Sequence, residues 1–413
     1  MRVLDIGIAG CGPAGLASAL LLERQGHRVT LVERFDAARP LGSGLILQPT
    51  GLAVLRELGL AERLIAQGSR IDRLFGLSAA TGSVVLDVRY APLGPEVFGL
   101  GVHRASLFDT LFSAAAATSM RIETAAEVTD LDRHGDGRSS FVTARGRRIG
   151  PFDLLIDASG ARSPLLRHAA RAAVPRPLRY GALWTNVRLG EHGFQPTALE
   201  QRYRRASVMV GVLPIGRLGE GGEPLASLFW SLKPERYDAW RAAGLDAWKA
   251  QVLRHWPQVA PLLAQIDDPE QLLLASYRHQ TLPVPHGTGI AFVGDCAHAT
   301  SPQLGQGANM ALLDALALAT ALEQTGDPQA ALGLYARLRR WHVRFYQAAS
   351  LLFTPFYQSD GTVLPAIRDR LVPPLARLPG IDRMLALLVA GRFAAPFRGI
   401  EASRRGVAAR GTG

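Results

Sequence analysis

Three glycines near the start of the chain limit its fold more than any other feature. Residues 3–34 read VLDIGIAGCGPAGLASALLLERQGHRVTLVER, and Gly10, Gly12 and Gly15 form a G-x-G-x-x-G pattern directly after an apolar run of strand length. A helix-like run of small and apolar residues, Ala14 among them, follows, and a second strand-like run ends in Glu33. Each position has a physical job. Gly10 makes a tight turn, Gly12 admits a pyrophosphate against the backbone, and Gly15 lets helix and strand pack closely. The helix start offers unpaired N–H groups to phosphate, and Glu33 can accept hydrogen bonds from ribose hydroxyls. The spacing predicts a strand–helix–strand unit that binds a dinucleotide. It does not distinguish NAD from FAD.

A second glycine-rich turn lies far down the chain. Residues 289–315 read GIAFVGDCAHATSPQLGQGANMALLDA, an apolar strand-like run that breaks at Gly294-Asp295, loops through Pro302, Gly305 and Gly307, and enters a helix near Asn309. This segment resembles the second flavin motif of the FAD-dependent aromatic hydroxylases (class A flavoprotein monooxygenases, the para-hydroxybenzoate hydroxylase type). The matching positions are Gly294, Asp295, Ala297, His298, Pro302, Gly305, Gln306, Gly307, Asn309, Asp314 and Ala315. The resemblance implies FAD, with its ADP half on Gly10, Gly12, Ala14, Gly15 and Glu33, and with Arg34 near the adenosine. It implies Asp295 on the ribityl chain, Pro302 shaping the oxygen pocket, and backbone from Gly305 through Gly307, Ala308 and Asn309 facing the flavin edge.

Three further segments fit the same family. In PLGSGLILQPTGL, a loop with Gly42 and Gly44 would pass the flavin ring. Gln48 is there either a flavin or substrate contact, and so a catalytic candidate beside Pro302, or only a helix cap. Arg104 begins an apolar helix with Leu107 and Leu111 at the family spacing, which implies a pyrophosphate contact, and His103 precedes it. Val128 occupies the position that packs on adenine. The third motif departs from the pattern. The chain reads Asp157-Ala158-Ser159-Gly160-Ala161-Arg162-Ser163, so Ser159 stands where the family has an aspartate, and the later arginine is displaced to Arg167. Ser159 and Gly160 remain candidates for FAD contact. The use of NADH or NADPH as reductant is the property that this departure bears on.

The implied fold class is α/β, with a Rossmann-like FAD-binding domain, an interleaved substrate-binding β-sheet domain and C-terminal helices. The FAD-binding domain would take residues 1–70, 100–178 and 278–325, the substrate domain 71–99 and 179–277, and the helical region 326–413. Residues 121–132 carry one long strand signal. Residues 179–277 are rich in β-branched and aromatic residues, as strands are. Tyr180, Trp184, Tyr203, Met209, Leu213, Pro214 and Trp230 read either as pocket lining or as core. The tail, apolar and arginine-rich with prolines, fits a helical cap, a homodimer contact or a membrane-surface element, and its last residues, 401–413, read as a frayed end.

The formal net charge is +11, carried by arginine, since Lys233 and Lys249 are the only lysines. The arginines form only short pairs without interleaved aromatics, which argues against nucleic acid and for anionic cofactors and substrates. Two cysteines, Cys11 and Cys296, cannot build a disulfide framework, which favours a reducing, cytoplasmic compartment. No leader and no membrane-spanning run is visible. Histidines show no metal-ligand spacing, and no G-x-S-x-G elbow is present. By resemblance the activity is a monooxygenase that transfers one oxygen atom of O2 through a C4a-hydroperoxyflavin to a phenolic, quinolone or polyketide-like ring. The alternatives are an FAD-dependent reductase or dehydrogenase of a prenyl or polyene chain, or a flavoprotein reduced by a partner.

Overall fold

The structure, a computed structural model, describes residues 2–37, 43–219, 221–375, 378 and 380–394. Gly42 and the tail residues 401–413 lie outside the described residues. A six-stranded sheet gathers distant parts of the chain in the order His286–Gly287, Ile290–Phe292, Leu154–Asp157, Asp5–Ala9, Arg28–Val32, Arg121–Glu123. All neighbours are parallel except the edge pair of His286–Gly287 with Ile290–Phe292. Central strands such as Leu154–Asp157 are buried at every residue, as expected of strands covered on both faces. One face carries the helices Pro13–Arg24, Arg104–Ala116 and Gly307–Thr325. The other carries an antiparallel sheet of Val128–Arg133, Ser139–Thr143 and Arg148–Phe152. Gly7 makes room there, since a Cβ would stand 2.5 Å from the Phe152 ring.

The strand signal over 121–132 is divided. Ala125 adopts φ 50°, and this left-handed residue sends Arg121–Glu123 to the parallel sheet and Val128–Arg133 to the antiparallel one.

A seven-stranded sheet runs Leu273–Ala275, Gly181–Arg188, Leu225–Leu232, Val208–Gly216, Ala198–Arg204, Arg73–Ser78, Val84–Arg89. Only Ala198–Arg204 and Arg73–Ser78 pair in parallel. Alternation along the strands sorts side chains to two faces. Leu183, Val210, Val212, Leu228 and Trp230 pack on Trp240, Trp248 and Trp256 from the helical segment that follows the sheet. Trp184, Leu213, Ser227 and Phe229 project from the opposite face.

That opposite face meets a small antiparallel sheet of Gly44–Leu47, Gly99–His103 and Ser69–Ile71. Glycine permits the approach. A Cβ on Gly44 would stand 2.5 Å from Ile215, and one on Gly101 would stand 2.0 Å from the carbonyl oxygen of Pro214. After Gly307–Thr325 come three more helices, Pro328–Tyr357, Val363–Leu375 and Ile381–Val389. Among the described residues no helix is long and apolar enough to cross a membrane.

The Gly101 contact is with backbone, which cannot swing aside. Gly101→Ala is therefore expected to lower unfolding free energy by about 1–3 kcal/mol, the usual cost of overpacking. Urea unfolding checks this, and a variant as stable as the parent would show that the two sheets can separate freely.

Candidate functional site

The two glycine turns meet at the ends of neighbouring parallel strands. Gly10 has φ 103° and a Cβ there would stand 2.6 Å from the Ala158 carbonyl, while a Cβ on Gly15 would stand 1.9 Å from the Gly10 carbonyl. Gly12 differs, because a Cβ there would meet nothing within 4 Å. Two glycines are thus required by packing, and the third leaves space beside the backbone. Gly294, with φ 63°, lies where a Cβ would touch both Ala14 (3.1 Å) and Ala311 (3.3 Å). The helices starting at Pro13 and Gly307 consequently converge on it. Neither has a side-chain N-cap, so the N–H groups of both first turns are left to an outside acceptor.

Glu33 is buried, and its carboxylate accepts from Cys11 N–H at 2.8 Å and Phe35 N–H at 3.3 Å. Arg34 is exposed, with its guanidinium over the Phe35 ring at 4.6 Å. Val128 is half-buried against the cluster that includes Ala9 and Val32. Burial pushes the Cys11 thiol up to about 12, so it is no nucleophile.

The second turn is held from beneath by a buried carboxylate. Asp314 accepts from Gly294 N–H (2.8 Å), His298 Nε2 (2.5 Å) and Arg339 Nε (2.7 Å). Burial opposes its ionisation, yet His298 and Arg339 hold its carboxyl below the usual range. Arg339 also meets His342 Nδ1 at 3.2 Å, and His342 Nε2 donates to the Gly391 carbonyl. The loop after His298 hangs on the helix Pro328–Tyr357 that carries Arg339, through Ser301 to Ser350 and Thr354, and on the residue that ends it, through Gln303 to Gln358. Pro302 and Gly305 are half-buried in this loop, and Gly305 takes φ 58°. The Asp295 carboxylate is exposed beside Gly294.

Asn309 is fully buried, and its side chain bonds backbone only, accepting from Gln48 N–H at 2.8 Å and donating to the Gly305 and Ile46 carbonyls. Gly307 and Ala308 stay half-buried at the helix start. Gln48 does not cap its helix with its side chain. Its Oε1 accepts from Tyr90 Oη at 2.5 Å, and its buried Nε2 has no partner within the protein. That amide points toward Gly305.

In the third motif, the Ser159 hydroxyl and the Ser163 hydroxyl both donate to Asp157, at 2.6 and 2.5 Å. Asp157 is fully buried, and burial raises its pKa. The charge that the family pattern sets at position 159 is thus replaced by a serine turned inward. Gly160, at φ 96°, donates to Cys296 Sγ and accepts from it, which ties the third motif to the second.

Arg104 is exposed at its helix start, and burial pushes the Tyr277 hydroxyl up to about 12 against the opposing positive charge of Arg104. His103 Nδ1 accepts from Ala105 N–H, and its Nε2 lies 2.8 Å from the Asn186 amide, which meets Ser227 Oγ at 2.9 Å. Gly44 N–H donates to the same Ser227 hydroxyl. The substrate candidates separate. Trp184 packs on Phe229 with the rings tilted (4.5 Å between centres) and donates to Tyr277 Oη (2.8 Å), on the sheet face toward Gly44 and Gly101 that Leu213 shares. Pro214 lies at the glycine junction. Trp230 faces the opposite helical cover, beside His255. Tyr180 donates to Asp360, and Tyr203 is packed edge-on to Tyr357. Among the described residues no group of His, Cys, Asp and Glu is placed to hold a metal.

Open space at Gly12, two uncapped helix starts, a buried acid at the second strand end and the unpartnered Gln48 amide all suit a flavin dinucleotide. A family model described as FAD binding domain matches residues 3–343. The chain belongs to this FAD-binding family. It is 27% identical over 380 residues to the 3-amino-4-hydroxybenzoate 2-monooxygenase of Streptomyces cremeus, covering 89% of this chain and 91% of that one. It is likewise 27% identical over 359 residues to the 6-hydroxynicotinate 3-monooxygenase of Bordetella bronchiseptica, covering 80% and 86%. The fold is similar to Klebsiella pneumoniae HpxO complexed with FAD and uric acid, with TM-score 0.79, 20% identity and coverage of 94% and 97%. The chain is an FAD-binding oxidoreductase of this family.

Sequence motifs located both glycine turns. They gave no sign of Arg339, which reaches Asp314 from a helix outside the motifs, of His342 behind it, nor of Tyr277 bonded to Trp184.

Because Gly12 borders open space, Gly12→Val should leave apoprotein stability within about 0.5 kcal/mol of the parent. It should weaken FAD binding at least tenfold, ~1.4 kcal/mol. Flavin absorbance after gel filtration reads the loss, and full retention would mean that no phosphate approaches Gly12. His342 supplies a pH test. Burial, aided by Arg339, lowers its pKa from 6.5 to about 3. The unfolded chain therefore binds the proton first, and stability is complete above pH 6.5 and falls as pH drops toward 3. His342→Asn should flatten that decline by an amount on the order of a few kcal/mol, seen by denaturant titration across pH.

Proposed function

We propose that the chain is a monooxygenase that inserts one oxygen atom of O2 into an aromatic ring, with NADH or NADPH as electron source. The observation that carries this reading is the aromatic pair Trp184 and Phe229 on the sheet face toward the flavin-side strands, with Trp184 bonded to Tyr277. Bound FAD supplies the activation of oxygen, and the protein supplies position, charge and exclusion of water. The substrate ring lies between that face and the loop bearing Pro302. Trp184, Phe229 and Leu213 hold it by contact and stacking. Arg104 serves an anion, either the cofactor pyrophosphate or an acidic substituent. The first turn at Gly307 aims N–H groups at the place where reduction adds negative charge. Gln48 Nε2, buried and unpartnered, donates into the same space.

A second reading has one specific support. Ser159 is turned onto Asp157 and offers no charge outward, so electrons would come from a partner reductase rather than directly from a nicotinamide.

The deciding assay is nucleotide oxidation by the yellow protein, with and without a panel of phenols, hydroxypyridines and quinolones, followed by product mass. Substrate-stimulated oxidation with one oxygen gained is expected. Tightly held FAD with no turnover on either nucleotide would overturn the self-sufficient reading in favour of the partner-reduced one. The two sheet faces give a second test. Trp184→Ala should lower kcat/KM by roughly tenfold or more, about 1.4 kcal/mol, with flavin content kept. Trp230→Ala should instead cost about 3–5 kcal/mol of stability, as core truncations do.

A further inference from the structure

The helix Pro328–Tyr357 has one face that is largely uncovered among the described residues, where Phe393 stacks on Phe345 and the rest of the row stays open. Trp341, Phe345, Ala348 and Leu352 are all exposed, at steps of four, three and four residues, which places them in one row along the helix. Trp341 is 63% and Leu352 65% exposed. Such large side chains in a row are rare on a free surface and mark a contact. The row is flanked by Arg340 and Arg344, whose guanidinium groups lie 5.4 and 5.6 Å from the Trp341 ring centre. This helix contains no aspartate or glutamate.

The charge of the sequence from this helix onward is equally one-sided. Residues 328–413 hold thirteen arginines against four acidic residues, so nine of the chain's eleven net positive charges fall in this last part. Short pairs in sequence conceal that concentration.

We infer that this face docks on an anionic lipid bilayer, with Trp341, Phe345 and Leu352 entering the headgroup boundary and the arginines meeting lipid phosphates. The combination is that of an interfacial helix, apolar and aromatic on one side with arginine at its margins. A second copy of the chain fits less well. A two-fold contact along this row would bring arginines against arginines with no carboxylate on the helix to pair them. Nucleic acid would leave the leucine and alanine of the row without a partner.

The test uses the full FAD-loaded chain, sedimented with vesicles of phosphatidylcholine alone and of phosphatidylcholine mixed with phosphatidylglycerol. The chain should pellet with the anionic vesicles at least about tenfold more strongly than with the neutral ones, and less so as salt rises. Trp341→Glu and Leu352→Glu should abolish binding, and Arg340→Gln and Arg344→Gln should each weaken it about fivefold. Unchanged flavin content and melting temperature establish that these surface variants fold. Equal or absent binding to both vesicle types would overturn the inference. So would binding that survives Trp341→Glu but is lost on removal of residues 395–413, or a concentration-dependent dimer in sedimentation velocity that Trp341→Glu dissociates. Since binding is read without turnover, the result is independent of which substrate the enzyme accepts.

Discussion

Asp314 is fully buried, and a carboxylate removed from water is costly unless its lone pairs are filled by charged or polar donors. Here Gly294 N–H, His298 and Arg339 fill them from three directions. The partners belong to the strand end that opens the second glycine turn, to the loop after it, and to the long helix beyond. Gly294 must also stay free of a side chain, because Ala14 and Ala311 press on it from two helices. The carboxylate therefore fixes the one backbone point where both glycine turns approach. If its charge partners were withdrawn, the position of Asp295, Pro302 and the helix start at Gly307 would lose its common reference.

The glycine junction between the sheets is the second constraint. The face with Trp184 and Phe229 can serve a ligand only if it stays at a fixed distance from Gly44–Leu47 and its loop. Gly101 sets that distance against the Pro214 backbone and Gly44 against the Ile215 and Ser227 side chains, and the His103–Asn186–Ser227 chain of hydrogen bonds spans the same seam. Polar groups buried at a seam are satisfied in one register and orphaned in others. The seam thereby selects one alignment of the Trp184 and Phe229 face, at the price of a polar interior.

What could be read in the sequence was whatever is local. Gly10, Gly12 and Gly15 announce a turn because three neighbouring positions each need a missing side chain for a different reason. The same holds for Gly294 through Gly307. Faces of a sheet are less legible, because alternation names two sets without saying which set meets which neighbour. Trp184 and Trp230 looked alike as aromatic strand residues, and only the register Trp184↔Phe229 and Leu183↔Trp230 assigns them to opposite sides. Ala125 hid a strand break, since nothing in an alanine advertises φ 50°. Ser159 was visible as a departure, but its hydroxyl could have faced the ligand. Its direction is decided by Asp157, two residues earlier and buried, whose carboxylate needs donors more than the solvent does.

The helix Pro328–Tyr357 joins these themes, because its two sides do different physical work. Arg339, His342, Tyr346, Gln347 and Ser350 point inward and hold Asp314, the Gly391 carbonyl and the loop around Ser301. Arg340, Trp341, Phe345 and Leu352 point outward. A helix that buries Arg339, His342 and Gln347 beside its apolar first turns while exposing Trp341 and Leu352 departs from the ordinary pattern of a surface helix. The inward polarity is explained by the buried acid it must serve. Among the described residues Phe345 meets Phe393, while Trp341 and Leu352 remain mostly exposed and are the part of the row that calls for a partner outside. Whatever binds that row grips the same helix that holds the loop around Ser301, so the two are joined through one element.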